Sequence, residues 1–233
     1  MNMKTLKIIG IITMTLDHIG VYLVHSAPWH VILRSLGRVA YPLFAFMIAE
    51  GYAKTNNVKR YWLRLLGGSL ITEACLAGYW IFSGENLMIR LDLFLPLFLG
   101  LSCLILWDTK RWALRLLIAP ILFFAYWFEI SYGLYGMLLI LIFGWIKPWW
   151  GRLTAATVTG LLFISQPLYR LFGVYSPFAD RIYGYWYQWF FMLAFVPLFF
   201  YNGQKGRFSK WFFYAYYPAH LLVLFLIGQW ISL

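Results

Sequence analysis

Asp17 and His18 stand side by side in the middle of the first apolar stretch of this 233-residue chain. Ionisable groups at membrane depth are costly, and as a rule they face a bundle interior or a water-filled cavity. A carboxylate beside an imidazole, with Lys7 three turns earlier, therefore marks a site. An imidazole titrates near neutral pH and suits proton abstraction, so His18 is the leading catalytic candidate. Asp17 adjoins it, but successive helical side chains diverge by about 100°. Asp17 either flanks the imidazole, orienting it or stabilising its cation, or pairs with an arginine on another helix.

Lys7 and His18 lie eleven helical steps apart, which returns to within about 20° of the same face and rises about 16.5 Å. A cation at one end of such a face and an acid/base group at the other suit a long ligand with phosphates at one end. The extended pantetheine arm of coenzyme A is of that order of length. The plainer role for Lys7 is to snorkel to the interface.

Further ionisable residues sit in the apolar stretches. Arg34 and Arg38, four apart, share one helical face near the outer boundary. Arg38 is deep enough to need a partner; Asp17 is a candidate, and a structural ion pair and a substrate contact are equally open. Glu73 lies midway along the third stretch and must face a cavity or pair with a cation. His220 is a second buried histidine, two residues after Pro218, which frees a backbone carbonyl and kinks its helix; it either packs through hydrogen bonds or touches the site. Lys205, Arg207 and Lys210 make the segment after Tyr201-Asn202-Gly203 cationic. Glu50 reads as solvated charge meeting Lys54 or Arg60. Asp92 lies near the outer end of its span, Glu129 opens a Gly-rich turn, and His25 and His30 receive no role. The cysteines, Cys75 and Cys103, both lie in apolar runs and read as packing residues. No zinc spacing, P-loop, dinucleotide fingerprint or nucleophile elbow is present, and with four histidines and two scattered cysteines no metal site is expected.

The elements that must position these residues are apolar helices. The chain is 63% hydrophobic and 12% charged, against about 45–50% and about 25% in a soluble domain. Its mean hydropathy is +0.72. Candidate spans cover roughly 5–25, 31–53, 60–82, 91–107, 112–130, 132–147, 152–169, 185–202 and 210–231. The expected fold is an all-α polytopic membrane protein: about nine transmembrane helices in one bundle and a single domain over residues 1–233. The first span carries Asp17 and His18 centrally and lacks a small-residue cleavage site, so it is not read as a signal peptide. With the N-terminus cytoplasmic, the basic clusters around Lys4, Lys54–Arg64, Lys110–Arg115, Lys147–Arg152 and Lys205–Lys210 all fall on one side, as the positive-inside rule requires. The net charge of +11 is thus a topology signal rather than a nucleic-acid footprint. Residues 166–185, rich in tyrosine with two prolines, read as interfacial aromatics or as a lid over an acceptor.

Taken as a set, several motifs resemble the TraX family. They are Asp17-His18-Ile19-Gly20, Gly37-Arg38-Val39-Ala40-Tyr41-Pro42 with Glu50-Gly51, Asn57 to Leu66, Tyr132-Gly133-Leu134-Tyr135-Gly136, Tyr201-Asn202-Gly203 and Tyr214-Ala215-Tyr216-Tyr217-Pro218-Ala219-His220. They follow the family's order from residue 5 to residue 222. The resemblance implies a conjugation-associated membrane protein linked to acetylation of pilin. The Lys7–His18 spacing is also similar to the basic-x10-His pattern of integral membrane acyltransferases. By that analogy Lys7 matches the basic position and His18 the catalytic histidine, acting on acyl-CoA from the cytoplasm. The chain departs from the family at Leu91-Asp92-Leu93-Phe94, where an Asn and a Phe-Thr pair are expected, and at Ser131, where an Asp is expected.

The expected function is a transmembrane acyltransferase in the cell (inner, cytoplasmic) membrane. It would move an acetyl group from acetyl-CoA to an amine or hydroxyl acceptor, either a protein N-terminus, a glycan or a small molecule. His18 would act as base, Asp17 would assist, Lys7, Lys205 and Arg207 would hold the phosphates, and Arg38, Glu73 and His220 would line the site. A covalent acyl-histidine is the rival mechanism. The alternatives are an ion-coupled transporter, with Asp17, Glu73, Glu129 and His220 as a proton path, or a non-catalytic membrane assembly protein.

Overall fold

A computed structural model describes residues 1–83, 93–128, 130, 132–164 and 186–232. The aromatic segment 166–185, Asp92, Glu129 and Ser131 lie outside the described residues. Among the described residues all regular structure is helical, as the composition predicts. The chain divides into two compact units, one of Met1–Leu43, Leu70–Ile89 and Tyr187–Leu233, the other of Phe44–Ser69 and Arg90–Trp186.

The helices are α1 (Met3–Tyr22), α2 (Trp29–Gly37), α3 (Ala40–Lys54), α4 (Val58–Ser83), α5 (Phe94–Trp107), α6 (Trp112–Arg115), α7 (Ile118–Trp127), α8 (Gly133–Trp145) and α9 (Trp149–Ile164). A 3-10 helix (Trp186–Ala194), α10 (Phe195–Phe199) and α11 (Lys210–Ser232) follow. Each candidate span therefore has a helical counterpart, but three are split. The second divides into α2 and α3, the fifth into α6 and α7, the eighth into the 3-10 helix and α10. Proline explains all three. Pro42, Pro120 and Pro197 each occupy the third position of the second piece. A proline there has no N–H for the carbonyl four residues back, and its ring pushes that carbonyl aside. The chain breaks just upstream, at Arg38, Leu116 and the end of the 3-10 helix. Pro218 sits inside α11 without ending it.

The apolar stretches differ in length. Two stretches, Trp29–Lys54 and Trp211–Ile231, are long and apolar enough to cross a membrane by length and composition; Phe94–Trp107, Trp112–Trp127, Gly133–Trp145 and Tyr187–Phe199 are shorter. A 13-residue helix rises about 20 Å, less than the hydrocarbon core of about 30 Å. Length and hydropathy thus mark two crossings among the described residues, where nine spans were expected. Both units nonetheless expose large apolar side chains, among them Trp230 (79%) and Leu226 (61%) in the first and Trp127 (65%) and Phe123 (60%) in the second. Apolar faces of that extent fit membrane association.

In the second unit α5 packs on α8 where Gly100 meets Ile140 and Gly144 meets Leu104. Trp62 Nε1 donates to Ser102 Oγ (2.9 Å). Glu50 meets Lys54 at 2.7 Å, the pairing anticipated from sequence, and Tyr52 donates to Asp108 at 2.8 Å. Tyr132 takes a left-handed conformation (φ 56°) and turns the chain into α8.

The first unit holds the Asp17–His18 pair. Helix α1 begins on Asn2, whose side chain accepts from the Thr5 N–H at 3.0 Å. Its buried stripe includes Leu6, Gly10, Met14, Asp17 and Gly20. Helix α2 returns antiparallel, so that Gly20 faces Leu33 and Gly37 faces Asp17. His30 contributes here: its Nδ1 reaches the carbonyls of Gly20 (2.7 Å) and Val24 (2.9 Å) at the end of α1. A carbonyl only accepts, so this nitrogen carries the proton.

Gly37 decides how closely α1 and α2 approach, because a Cβ at that position would overlap the Asp17 side chain. Gly37→Ala is expected to destabilise the protein by about 1–3 kcal/mol, read as a lower melting temperature in detergent. Gly67→Ala is the control. A Cβ there meets nothing within 4 Å, so the change should be neutral or stabilising by about 0.5–1 kcal/mol. Equal melting temperatures for the two variants would contradict the close α1–α2 contact.

Candidate functional site

Two faces of α1 divide the candidate residues. Asp17 belongs to the stripe that meets α2. Both guanidiniums of α2 converge on one of its oxygens: Arg34 Nη1 lies 2.9 Å from Oδ1, and Arg38 Nη2 donates to the same atom. Arg38 is further fixed by Nη1 to Gln188 Oε1 (3.2 Å) and Nε to the Arg34 carbonyl (3.1 Å). The Arg34 guanidinium lies over the Tyr187 ring, 5.8 Å from its centre. Asp17, Arg38 and Gln188 are buried. The sequence alternative of Asp17 on an arginine is therefore the one observed, and the break caused by Pro42 is what leaves Arg38 at a helix end facing inward.

His18 lies on the next face, with Thr15 and Tyr22, and this face meets α11. Thr15 Oγ1 pairs with Tyr216 OH at 2.8 Å, His18 Nδ1 with His220 Nε2 at 2.8 Å, and the Tyr22 ring with Phe225 at 4.4 Å. The partners ascend together, so the first and last helices run parallel. His220 is thus a direct contact of His18. Asp17, held by the arginines, points about 100° away from the imidazole, and the ring nitrogen of His18 is hydrogen-bonded by His220 instead.

The hydrogen bonds set the tautomers. His220 Nδ1 lies 3.0 Å from the Tyr216 carbonyl and must be the donor there. With a neutral ring, its Nε2 then accepts, and His18 Nδ1 donates to it. The lone pair of His18 is left on Nε2, the form a general base requires. Tyr216 also stacks on His220, with ring centres 5.0 Å apart and planes 8° from parallel. Tyr216 is held in turn: Thr15 Oγ1 donates to the Ile11 carbonyl at 2.8 Å and so accepts from the phenol. Tyr217 meets both imidazoles edge-on.

Lys7 shares this face, as its spacing predicts. Its Nζ sits over the Phe208 ring, 5.3 Å from the centre, just before α11 begins. The segment 200–207 clasps the start of the chain: Asn202 N donates to Met1 O (2.8 Å), Met3 N to Gln204 O (2.8 Å), and the Met1 amine to Phe200 O. Gly206, at φ 65°, lies against Asn2 and Lys4 where a Cβ would crowd both. The clasp brings the exposed Lys205 and Arg207 to the end of α1 that carries Lys4 and Lys7. Glu73 is half-buried on α4, in the same unit. Among the described residues no group of three His, Cys, Asp or Glu is placed to hold a metal.

The parallel helices α1 and α11, joined by two histidines and closed by a basic clasp, bring together residues from 2–22 and 200–232. The family described as TraX protein matches residues 2–228. The chain belongs to the TraX family. This TraX-family chain is also similar to a curated relative, "Probable fimbrial assembly protein FimC, serogroup H1" of Dichelobacter nodosus. The two share 29% identity over 238 residues, covering 94% of this chain and 92% of that protein. No solved structure matches.

Arg34, Gln188, Tyr187, Thr15 and Tyr216 complete the site, and sequence reasoning gave them little or no weight. Arg34 was placed on the face of Arg38 by its i,i+4 spacing, and Tyr216 stands four residues before His220, the same kind of signal. Gln188, an amide in a run of aromatics, offered only its polarity.

Asp17→Asn leaves both guanidiniums facing a neutral amide. It is expected to cost on the order of 3–5 kcal/mol, measured as lost folded yield and a lower melting temperature in detergent. Adding Arg34→Met should recover part of the loss. A wild-type melting curve for Asp17→Asn alone would remove this ion pair as the anchor of α1 on α2.

Proposed function

We propose that this chain is a membrane component of pilus or fimbrial assembly. Family membership and the name of the Dichelobacter nodosus relative support this role. That name fits a non-catalytic assembly protein more directly than it fits acyl transfer.

A second function within that role is favoured by one observation, the hydrogen-bonded His18–His220 couple whose tautomers leave a lone pair on His18 Nε2. We infer that the chain transfers an acyl group, acetyl by preference, from acyl-CoA to an amine or hydroxyl acceptor. His18 Nε2 would take the acceptor's proton as its nitrogen or oxygen attacks the thioester carbonyl, and the CoA thiol would leave. His220, held by the Tyr216 carbonyl and stacked on its ring, would position the base. The anionic end of the donor would meet Lys7, Lys205 and Arg207, whose clustering by the clasp supports such a seat. The rise of about 16.5 Å from Lys7 to His18 matches the pantetheine arm, and the Lys7-x10-His18 pattern is similar to that of integral membrane acyltransferases. The same reading puts the N-terminus and the clasp on the cytoplasmic side of the cell membrane, with about nine crossings. A parallel α1 and α11 agrees with an odd number.

Two measurements separate the roles. Calorimetry on the purified protein in detergent should give micromolar acetyl-CoA binding that weakens at least tenfold in Lys7→Ala and persists in His18→Ala. No binding by folded wild type would overturn acyl transfer. In a strain lacking the protein, wild type should restore surface pili and His18→Ala should not. Full restoration by folded His18→Ala would leave assembly without catalysis.

A further inference from the structure

Arg34 and Arg38 share a single carboxylate oxygen, yet their surroundings differ. The Arg38 side chain is 4% exposed and the Arg34 side chain 18%. Arg38 also holds Gln188 and the Arg34 carbonyl. Among the described residues, Asp17 Oδ1 is the one acceptor for the Arg34 guanidinium, whose face rests on Tyr187. A guanidinium carries five N–H donors in a rigid fork that matches carboxylate and phosphate oxygens. Arg34 is thus held in position by a shared carboxylate and an aromatic face, while most of its donors are left for another anion. It also points away from the apolar edge of its own helix. Trp29, Ile32 and Leu36, at i, i+3 and i+7, form the exposed stripe of α2, and position 34 lies roughly 160–200° from Ile32 and Leu36 around the helix. A lipid headgroup arriving on that stripe would not meet it. Asp17, the anchor of Arg34, is the residue next to His18.

We propose that Arg34 is an anion-recognition residue that takes a carboxylate or phosphate group of the acceptor molecule. The acceptor would carry this anionic group in addition to the amine or hydroxyl that is acylated. Asp17 and Tyr187 hold the guanidinium in position, and the shared carboxylate oxygen leaves part of its charge for the ligand. Only the identity of the anion as the acceptor's rests on the acyl-transfer reading. The anion site is measured without acetyl-CoA, so it stands or falls separately.

The test titrates the full chain in neutral detergent with pyrophosphate and, separately, with citrate, using chloride at equal ionic strength as the control. Both anions should raise the melting temperature of wild type by about 3 °C near saturation. Arg34→Gln should lose most of the shift and Arg34→Lys should keep part of it. The second measurement needs no variant: phenylglyoxal modification of Arg34, followed by peptide mass spectrometry, should slow severalfold when either anion is present. Equal shifts in wild type and Arg34→Gln, or unprotected Arg34, would overturn the proposal. An Arg34-dependent shift produced by phosphatidylglycerol in mixed micelles, but not by the soluble anions, would also overturn it by assigning the site to lipid.

Discussion

One carboxylate oxygen held by two guanidiniums organises the first unit. A carboxylate buried in an apolar bundle is costly without a partner. Arg34 and Arg38 close on Asp17 from one helical face, and Gly37 clears the room for that approach. The clamp fixes the rotation of α1. With Asp17 turned to α2, the next residue must look elsewhere, and His18 is delivered to α11. Helical periodicity alone converts an ion pair on one face into a placed imidazole on the other.

The C-terminal helix finishes what the clamp begins. Thr15, His18 and Tyr22 recur at helical spacing, and Tyr216, His220 and Phe225 answer them in the same order. Polar pairs of this kind are few in an apolar interface, so they select one register among many that would pack equally well. The basic clasp of residues 200–207 repeats the selection at the helix ends by pairing backbone with backbone.

Much of this was legible in the sequence, for identifiable reasons. Composition and hydropathy indicated helices, and every candidate span has a helical counterpart. The pairing of Lys7 and His18 on one face followed from arithmetic on 3.6 residues per turn. The depth of Arg38 in its span named Asp17 as a possible partner. The breaks did not follow as readily. Pro42, Pro120 and Pro197 were visible, but an apolar run reads as continuous when hydropathy is averaged across a break. Nor could one helix reveal what its neighbour presents. His220 was a candidate on burial alone, whereas its hydrogen bond to His18 depends on the register between chain ends. Gln188 and His30 act through contacts that leave no periodic signal.

The two histidines lie 202 residues apart in the sequence. Ribosomes extend chains at about 5–20 residues per second. For about 10–40 s of every molecule's synthesis, then, His18 exists without the ring that orients it. A truncated or stalled product keeps the imidazole but lacks its register, its tautomer and the clasp. The placement of His18 is thus a late event of synthesis, since its ring gains a partner only once α11 has been made and has docked on α1.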